Sequence, residues 1–263
     1  MRKLLYSLAA AALVAAGVTA IIPRANAAIS GFVTRSGTDF SLNGQPFHYG
    51  GTNNYYLHYK SNAMVDNVFT SAQSMGMKVI RTWNFLECGG AKPDSAGGCS
   101  AGTDNWMQRW SATTNSVEYN TGVNGLQKLD YMLADAAAHN IRLIMVLTGN
   151  WKDFGGMDQY VTWYGGQYHD QFYTDANIKQ AYKNWMSTVL NRTNSITGVK
   201  YKDDPTVFSW ELANEPRCIN ASLPTSGTCT ADTIVNWASE MSTYAKSIDS
   251  NHMVSIGDEG FLA

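Results

Sequence analysis

The chain has 263 residues and a formal net charge of −2, from 19 Lys and Arg against 21 Asp and Glu. That length suits one large α/β domain or two small ones, and the balanced charge without a basic run excludes nucleic acid as a partner. Aromatic residues make up 12% of the chain, including 8 Trp and 14 Tyr. Most of them are expected in the core, but broad aromatic faces also suit sugar rings or apolar ligands.

The first 27 residues have the features of a secretory signal peptide. They begin with RK at 2–3, continue with a mostly apolar run at 4–22, and end with the small-x-small cleavage sequence ANA at 25–27. A membrane anchor is the alternative because the apolar run is long, but its Ser, Gly, Thr and Ala residues make a weak span. We therefore predict a secreted, extracellular protein with a mature chain of residues 28–263 and no membrane partner after cleavage.

Strand and helix signals alternate along the rest of the chain. A small β-hairpin is predicted over residues 28–45. Short apolar, β-rich runs then predict five strands, at 46–52, 77–83, 141–147, 206–210 and 253–256. Apolar residues with helical spacing predict helices between the strands, within 65–75, 126–136, 178–189 and 234–248. The segment 148–173 is rich in Gly and aromatic residues and is predicted as a long functional loop.

This alternation predicts βαβ units and a parallel sheet. Polar residues gather just after the strands, which fits an α/β fold of the (β/α)8 TIM barrel type, whose chemistry lies at the carboxyl ends of its strands. A doubly wound sheet is the competing fold, but no glycine-rich phosphate loop follows the first strand. A TIM barrel needs eight strands and the sequence predicts five. We therefore expect residues 28–263 to be the N-terminal part, about the first five βα units, of a catalytic barrel truncated at the C-terminus.

The four cysteines fall into two pairs with the same spacing. Cys88 and Cys99 are 11 residues apart, as are Cys218 and Cys229, and both pairs lie in Gly- and Ser-containing loops. Four cysteines allow three connectivities, but in an exported chain this spacing favours two local disulfides, Cys88–Cys99 and Cys218–Cys229. Neither pair has the spacing of a zinc site, so no metal and no cofactor is predicted.

Four motifs at the predicted strand ends resemble family 5 of the glycoside hydrolases, in clan A. They are VIRTW at 79–83, GNW at 149–151, WELANEPRC at 210–218 and GDEG at 257–260. The similarity extends from about residue 32 to the end and is closest to the secreted endo-β-1,4-mannanases of that family. The NEP sequence is shared by the wider clan of retaining barrel glycosidases, whereas the longer string around it is much more specific to the mannanases.

The resemblance implies a general acid/base and two supporting residues. Glu215, at the end of the fourth strand, would be the acid/base, and Asn214 would hydrogen-bond the sugar 2-hydroxyl. Arg81 would lie beneath the site and keep the nucleophile ionised, although a purely structural ion pair is an alternative for it. Glu211 lies within the strand, and the alternation of side chains predicts that it points away from the site.

The resemblance also implies a sugar-binding surface. Trp83 would form a stacking wall, while Arg217 and Glu259 would contact the sugar on the leaving-group side. The substrate implied is a β-mannan polysaccharide, and the protein is expected to be a monomer. Trp151, Trp163 and Tyr164 either line subsites or pack the long loop, and the sequence does not favour one of these.

Retaining glycosidases need a second carboxylate about 5–5.5 Å from the acid/base to act as nucleophile. In the family this is a glutamate after strand seven, so the resemblance implies that it lies beyond residue 263, and Glu259 is not a substitute. The prediction is therefore an endo-β-1,4-mannanase whose given chain would be neither active nor stably folded alone. Two alternatives stay open, an endo-β-1,4-glucanase (cellulase) of the same fold and an inactive carbohydrate-binding fragment.

Overall fold

A computed structural model describes residues 29–94, 104–219 and 222–260. The predicted signal peptide at 1–27 lies outside the described residues, and so does Cys99, so both the cleavage and the Cys88–Cys99 disulfide stay predictions. Within the described ranges, no helix combines the length and the apolar character that crossing a membrane requires.

The described residues form eleven strands and six α-helices. The strands are β1 (Val33–Ser36), β2 (Asp39–Leu42), β3 (Gln45–Pro46), β4 (Gly51–Asn53), β5 (Val79–Trp83), β6 (Glu87–Gly90), β7 (Gln108–Ser111), β8 (Ser116–Tyr119), β9 (Arg142–Val146), β10 (Val207–Glu211) and β11 (Met253–Ser255). The helices are α1 (Asn62–Ser74), α2 (Leu126–Ala138), α3 (Gly156–Trp163), α4 (Gln171–Thr174), α5 (Ala176–Leu190) and α6 (Ala231–Ile248).

A five-stranded parallel sheet organises the molecule. Its spatial order is β11-β10-β9-β5-β4, and each neighbouring pair is parallel. Four of the five strands lie where the sequence predicts them, and the first, predicted at 46–52, is the shorter β4 (Gly51–Asn53). In the register, Trp83 and Glu211 both lie opposite Val146, and Glu211 lies opposite Ser255. The carboxyl ends of the strands therefore meet at one edge of the sheet, as the TIM-barrel prediction requires.

The helices pack on the sheet through the apolar faces that the sequence predicts. α1, α2, α5 and α6 bury the residues at helical spacing, and the core also contains large aromatic side chains. Trp185 donates through Nε1 to the carbonyl of Leu147 at 2.9 Å, and Trp210 donates to Asp249 at 2.6 Å. Because these buried indoles find acceptors, they add apolar area to the core without leaving a polar group unpaired.

The N-terminal hairpin packs at the end of the sheet opposite to the strand carboxyl ends. β1 and β2 pair antiparallel, which confirms the predicted hairpin. Phe40 contacts Phe208 edge to face at 5.1 Å between ring centroids. Arg142, at the start of β9, donates to the backbone carbonyls of Ser30 and Gly31 at 3.0 Å each. This layer covers the amino ends of the strands and leaves the opposite edge for chemistry.

Two segments differ from the predictions. The 148–173 segment is not a long loop, because α3 and α4 form within it. Tyr160, Val161 and Trp163 of α3 are fully buried, so apolar packing holds a helix in a segment whose Gly and polar residues mask the helical pattern. The segment after β5 also differs, because β6, β7 and β8 form a small separate sheet where the sequence predicts no strands.

Both edge strands of the central sheet are open to solvent. All three residues of β4 are exposed, and β11 is exposed at its last residue and half-buried elsewhere. In a closed barrel such strands are covered by neighbours, so the described sheet has the form of an open part of a barrel. The predicted Cys218–Cys229 disulfide is confirmed, and it closes the loop between β10 and α6.

Candidate active site

Glu215 lies just past β10 in an unusual backbone conformation. Its φ is 57°, in the left-handed region that residues other than glycine rarely occupy. Hydrogen bonds on both sides fix this turn, from the Asn214 amide to Thr148 O at 2.8 Å and from the Glu215 amide to Gly257 O at 3.0 Å. Strain of this kind persists where the surrounding structure enforces it, and it is concentrated at functional sites.

The Glu215 carboxyl accepts a hydrogen bond from Trp151, a residue whose role the sequence left open. Trp151, in the segment after β9, donates through Nε1 to Oε2 at 2.5 Å. The guanidinium of Arg217 lies over the Trp151 ring, 5.6 Å from its centroid. Trp151 therefore fixes the orientation of the candidate acid and links it to Arg217. Its place directly after a strand was the sequence signal for this role.

Arg81 lies under Asn214 and binds Glu211. Its Nη2 donates to Glu211 Oε1 at 2.5 Å and to Asn214 Oδ1 at 2.8 Å, and its Nε donates to Glu211 Oε1 at 3.0 Å. The ion pair that was the alternative role for Arg81 is therefore present in the structure, with Glu211 as the partner. The expectation that Glu211 points away from the site is wrong. The alternation of side chains along a strand holds only as far as Glu211, where β10 ends. It therefore does not place Glu211 and Asn214 on opposite faces, and both side chains bind Arg81.

Arg217 and Glu259 form an exposed ion pair at the rim of the same edge. Arg217 donates through Nε to Glu259 Oε2 at 2.6 Å, and its Nη2 contacts the same oxygen. This pair joins the loop after β10 to the loop after β11. A rim pair that is partly open to water can exchange its partner for a hydroxyl group of a ligand at little cost.

Trp83 belongs to an aromatic wall beside these residues, formed with Tyr55, Phe85 and Phe154. Trp83 stacks on Phe85 with ring centroids 5.2 Å apart, and it contacts Tyr55 and Phe154 at 5.4 Å each. Trp83 is half-buried and Tyr55 is exposed, so part of the wall faces solvent. The buried His58 packs behind it against Phe154, and burial lowers the pKa of His58 to about 3, which keeps it neutral.

The structure thus joins five of the six predicted site residues through hydrogen bonds, ion pairs and the Trp151 ring. Arg81 contacts Asn214, Glu215 follows Asn214 in the chain, and Trp151 links Glu215 to the Arg217–Glu259 pair. Trp83 is the sixth, and its ring contacts are to the aromatic wall.

A buried polar network behind the site was missed by sequence reasoning. His169 Nδ1 lies 2.6 Å from Asp158 Oδ1, and its Nε2 lies 2.9 Å from Asn150 Oδ1. Asn150 Oδ1 also accepts from the Arg217 amide at 3.1 Å. The network therefore positions the backbone that carries Arg217. No periodicity connects Asp158 with His169, so the only sequence signal was their position in the 148–173 segment.

A second buried carboxyl supports the start of α3. Glu87 accepts from the Gly156 amide and from Gln108 Nε2, each at 3.1 Å. Burial raises the pKa of Glu87 to about 8, against the opposing effect of its hydrogen bonds. In the described part of the chain, the group of side chains that could hold a metal ion lies elsewhere, between α1 and α2. The strand-end residues thus include the carboxyl groups and aromatic faces that acid/base chemistry and sugar stacking require.

Comparisons with known proteins identify the family of the chain. The family model described as GH family 5 beta-mannosidase-like matches residues 30–263. Mannan endo-1,4-beta-mannosidase A of Hypocrea jecorina is 38% identical over 261 residues, which is 99% of this chain and 53% of that protein. Mannan endo-1,4-beta-mannosidase 1 of Arabidopsis thaliana is 39% identical over 239 residues, covering 88% of this chain and 51% of that protein.

A solved structure shows the same fold. The endo-1,4-beta-mannanase of Rhizomucor miehei superposes with a TM-score of 0.80 at 45% sequence identity, over 88% of this chain and 62% of that one. The chain spans about half the length of the curated relatives it matches. The open five-stranded sheet is therefore part of a (β/α)8 barrel, and the chain belongs to family 5 of the glycoside hydrolases, in its β-mannosidase-like group.

Proposed function

We propose that this chain carries the acid/base half of the active site of a retaining endo-β-1,4-mannanase. The reaction would be hydrolysis of internal β-1,4-mannosidic bonds in mannan, galactomannan or glucomannan. The observation that carries the proposal is the Glu215 turn. A glutamate with φ of 57° stands at a strand end, and an indole N–H fixes its carboxyl. The names of the relatives supply the substrate class, since they are mannan endo-1,4-beta-mannosidases.

In this proposal Glu215 protonates the glycosidic oxygen of the leaving sugar. Trp151 holds Oε2 at 2.5 Å, which leaves Oε1 to carry and deliver the proton. In the second step the same carboxylate takes a proton from the water that releases the product. Trp151 restricts the rotation of the carboxyl group, so the proton is presented in one direction.

Asn214 and Arg81 prepare the sugar site in this mechanism. Arg81 Nη2 donates to Asn214 Oδ1 at 2.8 Å, which turns the Asn214 amide nitrogen away from Arg81. That nitrogen is then available to donate to the sugar 2-hydroxyl, a contact that strengthens as charge develops on the ring. The remaining positive field of Arg81 favours an ionised carboxylate close to the anomeric carbon.

We place the nucleophile outside the 263 residues. Glu211 and Glu259, two of the carboxylates at the strand ends, are each paired with an arginine: Glu211 with Arg81 and Glu259 with Arg217. These two are not free to attack the anomeric carbon. The curated relatives are about twice as long as the matched region, and the open edges of β4 and β11 suit further strands. For the same reasons we propose that residues 28–263 alone neither fold stably nor cleave mannan.

The substrate would lie along the aromatic wall and the Arg217–Glu259 pair. Trp83 and Tyr55 offer faces for sugar rings, because flat aromatic surfaces stack on the C–H faces of sugars while hydroxyl groups stay hydrated. The features at residues 1–27 support secretion to an extracellular polysaccharide, with cleavage after Ala27. We further propose that the enzyme acts as a monomer without a cofactor.

The test uses the protein expressed from its complete reading frame. Release of reducing sugar from β-1,4-mannan, from carboxymethylcellulose and from an unrelated β-1,3-glucan is compared, and the anomer first released is identified by NMR. We expect hydrolysis of mannan with retention and at least a tenfold lower rate on cellulose. Faster cleavage of cellulose would replace the mannanase by a glucanase. Binding of mannan without hydrolysis would leave only a carbohydrate-binding protein, and release of the inverted anomer would contradict the double-displacement mechanism.

A further inference from the structure

Three side chains with metal-binding donor atoms meet between α1 and α2, away from the strand ends. Asp66 is on α1, Asp135 is in the last turn of α2, and His139 follows α2 directly. One donor atom of each lies within 4.8 Å of the other two. Since α2 leads into the start of β9, this cluster is near the amino ends of the strands, on the side of a barrel that serves stability rather than chemistry.

The histidine is already oriented as a metal ligand would be. Its Nδ1 lies 2.8 Å from the carbonyl oxygen of Asp135, so Nδ1 carries the hydrogen and donates it. The lone pair is then on Nε2, which lies 3.9 Å from Asp66 Oδ1. Histidine ligands of metal ions commonly donate their second ring nitrogen to a backbone carbonyl, because this fixes the tautomer and the ring plane.

Asp135 gives the second, independent observation. Its side chain is only 10% exposed, and its buried Oδ2 has no hydrogen-bond partner among the described residues. Its other oxygen lies 3.4 Å from His139 Nδ1, whose hydrogen already goes to the backbone. Burying a carboxylate oxygen without a hydrogen-bond donor costs free energy, and the negative charge of Asp66 repels that of Asp135. A bound cation removes both costs.

We propose that Asp66, Asp135 and His139 bind one divalent transition-metal ion, Zn²⁺ in the first place, that ties α1 to the end of α2. One imidazole nitrogen and two carboxylate oxygens form a three-ligand set for zinc, with water as the fourth ligand. Ligand atoms of a tetrahedral zinc site are about 3.3 Å apart. His139 Nε2 and Asp66 Oδ1 are 3.9 Å apart, and the three donor atoms lie within 4.8 Å of one another, so the ion requires the site to close by up to about 1.5 Å. Asp66 can contribute to this closure because its side chain is 52% exposed.

One existing contact changes when the ion binds. The Thr70 hydroxyl lies 3.2 Å from His139 Nε2 and occupies its lone pair in the metal-free protein. Thr70 is one turn after Asp66 on α1, so its hydroxyl can rotate toward solvent and leave Nε2 to the ion. The site is structural, because it lies on two shell helices and contributes no atom to the strand-end residues.

The test measures zinc binding directly, on tag-free protein from the complete reading frame after removal of metal with a chelator. Isothermal titration with ZnCl₂ is combined with thermal unfolding in the presence and absence of Zn²⁺. We expect saturable binding of one Zn²⁺ per chain and a melting temperature that rises with Zn²⁺, since the ion binds the folded state. Asp66→Asn and His139→Gln should each weaken binding at least tenfold and remove the rise in melting temperature.

His48→Gln is the matched control, because His48 is exposed and lies outside the cluster, and it should bind zinc like the wild type. Asp66→Asn alters an exposed side chain and tests the ligand set even if His139→Gln fails to fold. Absence of one-to-one binding, or unchanged affinity in Asp66→Asn, would overturn the site. One-to-one binding of Ca²⁺ but not Zn²⁺ would overturn the choice of a transition metal. The inference does not depend on the proposed activity.

Discussion

The Glu211–Arg81 ion pair allows the sharpest prediction about the stability of the site. Glu211→Gln keeps the shape of the side chain but removes its charge. Glu211 is 8% exposed and Arg81 is 25% exposed, and their contacts are between 2.5 and 3.2 Å. Breaking a buried pair costs about 3–5 kcal/mol because one charge is left without a partner. Since water reaches part of Arg81 and the amide oxygen of Gln still accepts a hydrogen bond, we expect about 2–3 kcal/mol.

The chain offers a matched control for this substitution. Glu118 pairs with Arg109 at 2.6 Å, but these side chains are 36% and 44% exposed. Exposed pairs contribute about 0–1 kcal/mol, so Glu118→Gln should have little effect. In a domain of this size 1 kcal/mol corresponds to about 2–4 °C in melting temperature. The expected fall is therefore about 4–12 °C for Glu211→Gln.

The assay is thermal unfolding followed by circular dichroism, with both variants and the wild type expressed from the complete reading frame and measured in the same buffer. Equal melting temperatures for Glu211→Gln and Glu118→Gln would refute the claim that burial makes the Arg81 pair important. A double-mutant cycle that adds Arg81→Leu alone and in combination with Glu211→Gln gives the coupling energy of the pair, and the double variant also removes the unpaired charge. The double variant should recover part of the stability lost in Glu211→Gln alone.

Three further predictions concern separate contacts. Trp151→Phe keeps the ring but removes the hydrogen bond to Glu215, so kcat/KM on mannan should fall about 10- to 100-fold, and an unchanged value would remove Trp151 from the mechanism. Burial raises the pKa of Glu87 from its ordinary value of 4.5 to about 8, so the free energy of unfolding should fall as pH rises between these two values. Glu87→Gln should make the melting temperature less dependent on pH in this range. Parallel pH profiles of the variant and the wild type would contradict the raised pKa. Gly257→Ala would place Cβ 1.9 Å from Ala213 O, so it should prevent folding. Gly260 has a similar φ but open space around it, so Gly260→Ala should cost about 1 kcal/mol of stability. Similar melting temperatures for the two variants would contradict the close approach at Gly257.

The sequence predicted those parts of the fold that depend on local pattern. The five parallel strands, the apolar helix faces and the Cys218–Cys229 disulfide follow from periodicity and spacing, and all are present. α3 was missed because its helical spacing is mixed with glycine and polar residues, and its stability comes from burial in the core. Whether such a segment forms a helix depends on its packing against the rest of the protein, which the periodicity of a single sequence does not reveal.

The candidate site was likewise predictable only where local motifs mark its residues. Glu215 and Arg217 were predicted as site residues because they follow a strand in a motif that resembles a family, and the structure brings them to one edge of the sheet. Glu211 was misjudged because its inward orientation depends on where β10 ends, and its partner Arg81 is 130 residues away. The Asp158–His169 pair was missed because its contact with Asn150 is formed only when α3 packs against the strand ends.

The most direct test of the central claim is the rate of mannan hydrolysis by Glu215→Gln in the protein from the complete reading frame. The amide keeps the shape of the side chain but does not deliver a proton, so hydrolysis of unactivated mannan should fall by about 10²–10⁴-fold or more. Binding of mannan should stay within about twofold of the wild type. Glu240→Gln, which alters a half-exposed side chain of α6 that pairs with Lys179 and Lys183 of α5, should be fully active. Near-wild-type turnover by Glu215→Gln would contradict the assignment of Glu215 as the acid/base.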